Sequence, residues 1–404
     1  MRYILSWVRK RLQGACLVSS DHPVQLVAIL LVAVLLAACA APLPGPDRPM
    51  EVSSHNRAGD LLRAEPFPGA PVGAVATRML YGSTAPDGTP VTVSGLVIVP
   101  PGAAPPGGRP VLVWLHPTTG VDRACAPSSG PSPFAQIQGL TEFLAAGYAV
   151  VATDYPGLGS PGTHPYLVGA SEARAALDSV RAARQLPGVQ AGSRFAAWGH
   201  SQGGHAALFT AERARDYAPE LQLVGVAAAA PATDVAALAG QPGGNPLRGA
   251  LLSYTIWSWS RLFGADPDGI VPPATRPAIE RTARDCLESA VELQRLLADA
   301  APLQSQAATP DLRWQTLLAE NAPTPRPGEV PVFLAQGLDD PVIPPAFTRD
   351  FARRLCREHI AVRYLAMPGV DHYKAATGSA GAAASWIADR FAGVPPPDDC
   401  AGLR

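Results

Sequence analysis

Short apolar runs recur along the chain and alternate with amphipathic segments. Residues 74–82 and 89–99 alternate apolar and polar positions around the turn sequence APDG, which predicts a β-hairpin. Later runs such as VLVWLH are continuous, which is typical of strands buried on both faces of a sheet. The predicted buried strands are 111–116, 148–153, 194–199, 223–231, 330–337 and 361–369.

Helical patterns separate most of these strands. The segment at 171–186 starts with a capping serine beside an acidic residue and carries arginines near its end, as stable helices do. Further helices are predicted over 202–215, 346–358 and 380–391. Strands that alternate with helices predict a mostly parallel sheet covered by helices, so we expect an α/β fold class.

The alternation stops in the block 235–326, where helical patterns occur without a strand run. We expect this block to form a helical cap over one end of the sheet. It contains a dense aromatic and apolar group formed by Trp257, Trp259, Leu262 and Phe263. Such a group either forms core or lines an apolar substrate pocket, and the sequence is compatible with both uses.

The N-terminal region has the pattern of an export signal. Basic residues precede an uncharged run at 24–38, whose 15 residues fall short of the roughly 20 needed to span a bilayer. Leu36-Ala37-Ala38-Cys39 resembles a bacterial lipobox, in which the cysteine is lipidated after cleavage. A lipidated Cys39 would anchor the mature chain to a membrane surface. The alternative is an ordinary signal peptide, which would leave the product secreted or periplasmic.

These patterns divide the chain into five segments. We expect a signal peptide at 1–38 and a lipidated, Pro-rich tether at 39–70. The α/β core would comprise 71–234 and 327–404, interrupted by the cap at 235–326.

Composition narrows the range of functions. The 404 residues carry a net charge of −1 with a pI of about 6.7, so there is no positive excess to bind nucleic acid. Of six cysteines, four remain once Cys16 and Cys39 are set aside, an even number that suits disulfides in an exported protein. These four allow three pairings, with four free thiols as the alternative. No C-x-x-C spacing occurs, so we expect no metal site.

Ser201 is the candidate nucleophile. It lies in Gly199-His200-Ser201-Gln202-Gly203, between an apolar strand and an Ala-rich helix, and this context resembles the nucleophile elbow of α/β-hydrolases. The sharp turn strains the serine backbone, and side chains at the two glycine positions would collide with neighbouring backbone. The turn also sets the hydroxyl at a helix N-terminus, which favours negative charge.

A serine hydroxyl needs a base and an acid that orients this base. His372 follows the last predicted strand and fits the α/β-hydrolase chain order of serine, acid and histidine. The phrase QGLDDPVIPP follows the preceding strand and offers Asp340, with Asp339 as the alternative. Asp371 adjoins the histidine in sequence and is a poor candidate, since sequence neighbours rarely face each other.

The oxyanion formed during acyl transfer needs N–H donors. We expect one from Gln202, which follows the nucleophile, and the other from the loop after VLVWLH. Pro117 in that loop has no N–H, so Thr118 is the expected donor and Thr119 the alternative.

The chain resembles the secretory lipase family of bacterial and fungal α/β-hydrolases. The matching phrases run from HPTTG through ACAPS, ATDYPGLG, HPYLVGASEARAALDSVRAARQL and GHSQGG to QGLDDPVIPP, and cover roughly residues 75 to 392. The resemblance implies an α/β-hydrolase fold with an inserted cap, and an exported hydrolase of carboxylic esters. It also implies Ser201, Asp340 and His372 as its working residues.

For the disulfides we favour Cys125–Cys286 and Cys356–Cys400, the second of which would hold the C-terminal tail against a helix. The resemblance supports the first, because it suggests a bridge from the ACAPS loop to the cap that limits movement of the cap.

The resulting hypothesis is a lipase or esterase that acts on apolar ester or lipid substrates through an acyl-enzyme, without metal or cofactor. A serine peptidase or acyltransferase on the same fold is the alternative within enzymes, since a fold does not determine a function. A surface lipoprotein without catalysis is the alternative outside them. Oligomeric state is left open.

Overall fold

In a computed structural model of the protein, a nine-stranded sheet forms the centre of the fold. The structure describes residues 57–71, 73–240, 245–287, 290–304, 308–325 and 330–403. The expected signal peptide, Cys39 and most of the expected tether therefore lie outside the described residues. No helix in the described ranges combines the length and apolar character needed to cross a bilayer.

The sheet is mostly parallel, as predicted. Its strand order is β1-β2-β3-β5-β4-β6-β7-β8-β9, antiparallel from β1 to β5 and parallel from β5 to β9. The strands are β1 (Leu61–Phe67), β2 (Val75–Thr84), β3 (Pro90–Val99), β4 (Arg109–Leu115), β5 (Ala149–Thr153), β6 (Ala191–His200), β7 (Gln222–Ala229), β8 (Val332–Gly337) and β9 (Val362–Met367).

Strand β1 corrects the expected extent of the tether, which was placed at 39–70. Leu61–Phe67 instead pairs antiparallel with β2 at the edge of the sheet. Only its two end residues are half-buried, and the five between them are exposed. Because an edge strand with exposed faces needs no apolar alternation, and Pro66 weakens the strand signal further, the pattern gave no indication of it.

Helices cover both faces of the sheet. Buried alanines of the helix that precedes β6 pack with the strands in one apolar cluster, and Trp386 and Ile387 of the last long helix belong to the cluster that contains Trp114 and Trp198. The helices of the core are α1 (Leu140–Ala145), α2 (Gly169–Gln185), α3 (Gln202–Tyr217), α9 (Pro345–Arg357), α10 (Ala375–Phe391) and α11 (Cys400–Leu403).

The insertion between β7 and β8 is helical, and its described residues contain no strand. It comprises α4 (Val235–Gly240), α5 (Pro246–Phe263), α6 (Arg276–Thr282), α7 (Ala290–Gln304) and α8 (Leu312–Glu320). Trp259 is fully buried, stacks on Trp314 with ring centroids 5.9 Å apart, and donates its indole N–H to the carbonyl of Tyr166. Trp259 therefore packs the cap and joins it to the body.

Two disulfides link distant segments. Cys125 is bonded to Cys286, which connects the loop after β4 to the cap segment between α6 and α7. Cys356 is bonded to Cys400, which connects α9 to the short helix α11 at the C-terminus. These are the pairs favoured from the sequence.

Candidate active site

Ser201 occupies a strained turn between β6 and α3. Its backbone has φ 56° and ψ −115°, a positive φ that non-glycine residues rarely adopt. The Ser201 N–H donates to the carbonyl of Ala229 at 2.9 Å, and its carbonyl accepts from the N–H of His205 at 3.0 Å. Hydrogen bonds on both sides hold the turn in this conformation, at the carboxyl ends of parallel strands.

The two glycines that flank the turn are required by close backbone approach. A Cβ at Gly199 would lie 2.1 Å from the carbonyl oxygen of Gly203. A Cβ at Gly203 would lie 1.8 Å from the carbonyl oxygen of Leu115 on β4. Both collisions are with backbone atoms, which no side-chain rotation relieves, so the turn requires glycine at both positions.

His372 lies against the serine. Its Nε2 is 3.0 Å from Ser201 Oγ and its Nδ1 is 2.8 Å from Asp340 Oδ2. The ring of His200 lies beside it with centroids 4.8 Å apart, and His200 Nε2–H donates to the carbonyl of His372 at 2.9 Å. Burial, together with the nearby His372, lowers the pKa of His200 to about 3, so His200 is neutral and acts as a neutral donor to the loop.

Asp340 is held by backbone and side-chain donors. Its Oδ1 accepts from the N–H groups of Val342 and Ile343, each at 2.8 Å, and Oδ2 accepts from Gln336 Nε2 at 3.1 Å. Burial raises the pKa of Asp340, but its hydrogen bond and electrostatic interaction with His372, together with the two N–H donors, outweigh burial. The pKa therefore lies below its usual value, and the carboxylate is charged.

The other two acidic candidates do not reach the imidazole. The side chain of Asp339 is exposed. Asp371 accepts from the N–H of Lys374 at the start of α10. Of the three aspartates weighed from the sequence, the structure brings Asp340 to His372.

Gln336 is a site residue that the sequence did not indicate. Besides its bond to Asp340, its amide oxygen accepts from Thr348 Oγ1 at 2.6 Å and its Nε2 lies 3.3 Å from the Ile343 carbonyl. The one available signal was a polar residue inside the buried apolar run VFLAQG of β8, where an amide must find partners.

The candidate oxyanion donors lie close to Ser201. Gln202 is the first residue of α3, where N–H groups have no partner within the helix. Thr118 follows β4, and its hydroxyl is 2.9 Å from that of Tyr166. The carbonyl of Thr119 accepts from the N–H of Leu287 in the cap at 2.8 Å. Thr118 and Gln202 line the cavities described next.

Two cavities meet at Ser201. The narrow cavity, of about 50 Å³, runs beneath the cap, and the wide cavity, of about 310 Å³, runs past His372. Apolar residues of the narrow cavity include Val235, Leu238, Leu251, Leu252, Val342 and Ile343. The wide cavity is lined among others by Trp114, Thr118, Gln138, His200, His372 and Tyr373. Neither lining includes Trp257, Trp259, Leu262 or Phe263, so the cap aromatics do not form these walls.

The cap holds the loop that carries Thr118. Cys286 is bonded to Cys125, and the next residue, Leu287, donates its N–H to Thr119. We expect Cys125→Ala/Cys286→Ala to lower the free energy of unfolding by about 2–5 kcal/mol. It should also lower kcat by about tenfold, because the loop that carries Thr118 loses its covalent anchor.

The second bridge provides the matched control. Cys356→Ala/Cys400→Ala removes a disulfide from helices away from both cavities, so Tm should fall while kcat per active site stays within twofold. Thermal melts and ester turnover, normalised by active-site titration, measure the two effects. Equal kcat in the two double variants would contradict a role of the first bridge at the site.

Comparison with known proteins identifies the family. Residues 134–265 and 298–399, more than half of the chain, match the family model described as secretory lipase. The chain belongs to the secretory lipase family. Relatives include the probable inactive lipase MT1628 of Mycobacterium tuberculosis, 28% identical over 84% of this chain and 80% of that protein. Lipase 10 of Candida albicans is 26% identical over 85% of this chain and 79% of its own length.

Solved structures confirm the α/β-hydrolase fold. Candida antarctica lipase A in its closed state superposes with a TM-score of 0.67 at 17% identity, covering 85% of both chains. The rice cell wall degrading esterase LipA of Xanthomonas oryzae superposes with a TM-score of 0.65 at 21% identity, covering 83% of this chain and 97% of that one. Membership of the secretory lipase family, together with this fold, supports an ester-hydrolysing lipase.

Proposed function

We propose that the protein is an exported serine hydrolase that cleaves carboxylic esters of apolar acyl groups through an acyl-enzyme. The observation that carries this proposal is the contact of Ser201 Oγ with His372 Nε2 at 3.0 Å, while His372 Nδ1 contacts Asp340 at 2.8 Å. The serine lies where the two cavities meet, so an ester bond seated there would reach the hydroxyl.

The reaction proceeds in two steps. Ser201 Oγ attacks the ester carbonyl while His372 Nε2 accepts its proton, and Asp340 stabilises the imidazolium that forms. The tetrahedral intermediate collapses as His372 returns the proton to the leaving alcohol, and the acyl group stays on Ser201. His372 then removes a proton from water, which attacks the acyl-enzyme, and returns that proton to Ser201 Oγ as the acid is released.

Two backbone N–H groups stabilise the oxyanion of each tetrahedral intermediate. The first is that of Gln202, at the N-terminus of α3, where the helix dipole adds a favourable potential. The second is that of Thr118, in the loop held by the cap. Removing one such donor typically lowers turnover about a hundred- to a thousandfold.

The two cavities would hold different parts of the ester substrate. The narrow cavity has mostly apolar walls and suits the acyl chain, which gains from leaving water. The wide cavity has polar groups such as Thr118, Gln138 and His372 and suits the alcohol part. An apolar acyl ester or a lipid is therefore the substrate class.

The N-terminal segment supplies the proposed location. The export pattern at 1–38 and the lipobox-like Leu36–Cys39 support a membrane-anchored lipoprotein, with a Pro-rich tether that now ends before β1 at Leu61. The body then comprises the sheet with its helices, interrupted by the cap at 235–326.

Phosphonate labelling combined with a substrate series tests this function. An alkyl p-nitrophenyl phosphonate should transfer its alkylphosphonyl group to Ser201 with loss of p-nitrophenolate, add the mass of that group to the peptide that contains Ser201, and abolish turnover of p-nitrophenyl esters in parallel. The acyl chain length at which kcat/KM declines reports the reach of the narrow cavity. Cleavage of peptide anilides without ester turnover would favour a peptidase, and a chain inert to both the phosphonate and the esters would favour a non-catalytic lipoprotein.

A further inference from the structure

A buried polar cluster includes the side chain of Gln202, and none of its side chains takes part in the mechanism described so far. It consists of Gln202, Glu172, His164 and His205, and each of these side chains is at most 1% exposed. Glu172 lies in the first turn of α2, and His205 lies one turn into α3. Burying four polar side chains in one place costs free energy unless they satisfy one another.

The side-chain amide of Gln202 is clamped from two sides. Its Nε2 donates to Glu172 Oε1 at 2.9 Å and to His164 Nε2 at 3.2 Å. His164 Nδ1–H donates to the carbonyl of Pro156 at 2.8 Å, and burial lowers the pKa of His164 to about 3, so its Nε2 is an acceptor. Both amide hydrogens are therefore used, and a flipped amide would place its oxygen against two acceptors.

Glu172 is neutralised by His205. Its Oε2 is 2.7 Å from His205 Nδ1, and His205 Nε2–H donates to the carbonyl of Asn321 at 2.8 Å. One proton lies in the shared bond whether the imidazole or the carboxyl carries it, so the pair is neutral overall. Without His205, a buried carboxylate would lie beside the residue that follows Ser201, where it would repel a forming oxyanion.

The cluster is also joined to the cap. Asn321 follows α8, and its side-chain oxygen accepts from the N–H of Gly169 at the start of α2, at 3.1 Å. Ser258 on α5 donates its hydroxyl to the carbonyl of His164 at 2.6 Å. The cap therefore contacts His164 through Ser258 and His205 through Asn321.

We propose that Glu172 and His205 are positioning residues that fix the backbone N–H of Gln202 in the direction of the oxyanion. A residue held at its backbone by a helix and at the end of its side chain by a buried carboxylate has little freedom to rotate its peptide plane. Oxyanion stabilisation depends on donors that are already oriented, and small displacements cost large factors in rate. This inference rests on the proposed function.

Gln202→Met tests the clamp directly, because it keeps the backbone N–H and a similar side-chain volume but removes the amide. We expect kcat for a p-nitrophenyl ester to fall about 10- to 100-fold with KM within about twofold. The affinity of an alkyl trifluoromethyl ketone, whose adduct with Ser201 carries an oxyanion, should fall by the same factor as kcat.

Glu172→Met removes the oxygen that accepts from Gln202 while keeping a similar side-chain volume. It should reproduce the loss of kcat, and the Glu172→Met/Gln202→Met double variant should lose far less than the product of the two single losses, since both act through one contact. The two single variants test the same contact. If one of them fails to fold, the other still shows whether the contact affects kcat.

Asp178→Asn is the matched control. Asp178 is also a fully buried carboxylate on α2, but its partners are Ser83, Tyr217 and Arg181, none of which belongs to the site. It should lower Tm and leave kcat per titrated site and ketone affinity within twofold.

Two outcomes would overturn the inference, and they differ from a failure of the proposed function. A folded Gln202→Met with wild-type kcat and ketone affinity would overturn it, as would a Glu172→Met that lowers Tm alone, like the control. In both cases the unsubstituted protein still hydrolyses esters and reacts with the phosphonate. An unsubstituted protein that does neither would overturn the proposed function and the inference together.

Discussion

Ser201→Ala is expected to lower kcat for ester hydrolysis by about 10⁴- to 10⁶-fold, because the proposed acyl-enzyme forms on the hydroxyl that contacts His372. His372→Ala should cost a similar factor, since its Nε2, 3.0 Å from Ser201 Oγ, is the proposed proton acceptor. Initial rates with a p-nitrophenyl ester, at equal concentrations of folded protein, measure both losses.

The two losses should not multiply. Serine and imidazole act as a unit, so the Ser201→Ala/His372→Ala double variant should be about as slow as either single variant. His359→Asn serves as the control, because this exposed histidine lies after α9 with φ 59°, a conformation that asparagine tolerates. Substantial labelling of Ser201→Ala by the phosphonate would show that another residue is the nucleophile.

The two neighbouring aspartates should differ by orders of magnitude. Asp340→Asn is expected to lower kcat about 10³- to 10⁴-fold, because an amide cannot stabilise the imidazolium and leaves the His372 tautomer undetermined. Asp339→Asn should change kcat less than twofold, since this side chain is exposed and the carboxylate that contacts His372 belongs to its neighbour.

Both variants exchange one carboxylate for its amide at adjacent positions, so each is the control for the other. Melting temperatures identify any loss of kcat that comes from unfolding. Asp340→Asn is the variant more prone to unfold, because Val342 and Ile343 donate to this carboxylate. If Asp339→Asn proved the slower enzyme, the proposed roles of the two residues would have to be exchanged.

The parallel strands were predictable because a strand buried on both faces is apolar throughout. Strand β8, all six residues of which are buried, is an example. Strand β1 was not predictable, because five of its seven residues are exposed and its place is decided by pairing with β2 rather than by burial. The local pattern of apolar residues predicts buried strands well. It predicts poorly an edge strand that is held mainly by its hydrogen bonds to a neighbouring strand.

The proximity of Ser201, His372 and Asp340 followed from a local motif and from chain order. Gln336 and the Glu172–His205 pair were missed for a different reason. Glu172 lies 33 residues from His205, and Asn321 lies 116 residues from it, so nothing local connects them. A polar residue on an Ala-rich helix is usually solvated, and only the fold makes these side chains partners. The catalytic roles themselves stay predictions until the variants are measured.

The order of the cysteines has a consequence for biogenesis. Cys125 pairs with Cys286 and Cys356 pairs with Cys400, so that each bridge joins consecutive cysteines of the described chain. During synthesis and export the N-terminal part of the chain emerges first. When each thiol is oxidised with the next thiol to emerge, the native pairs form directly. When Cys39 carries the proposed lipid and offers no thiol, production in an oxidising compartment should therefore need an oxidant of thiols but no enzyme that reshuffles wrongly joined pairs.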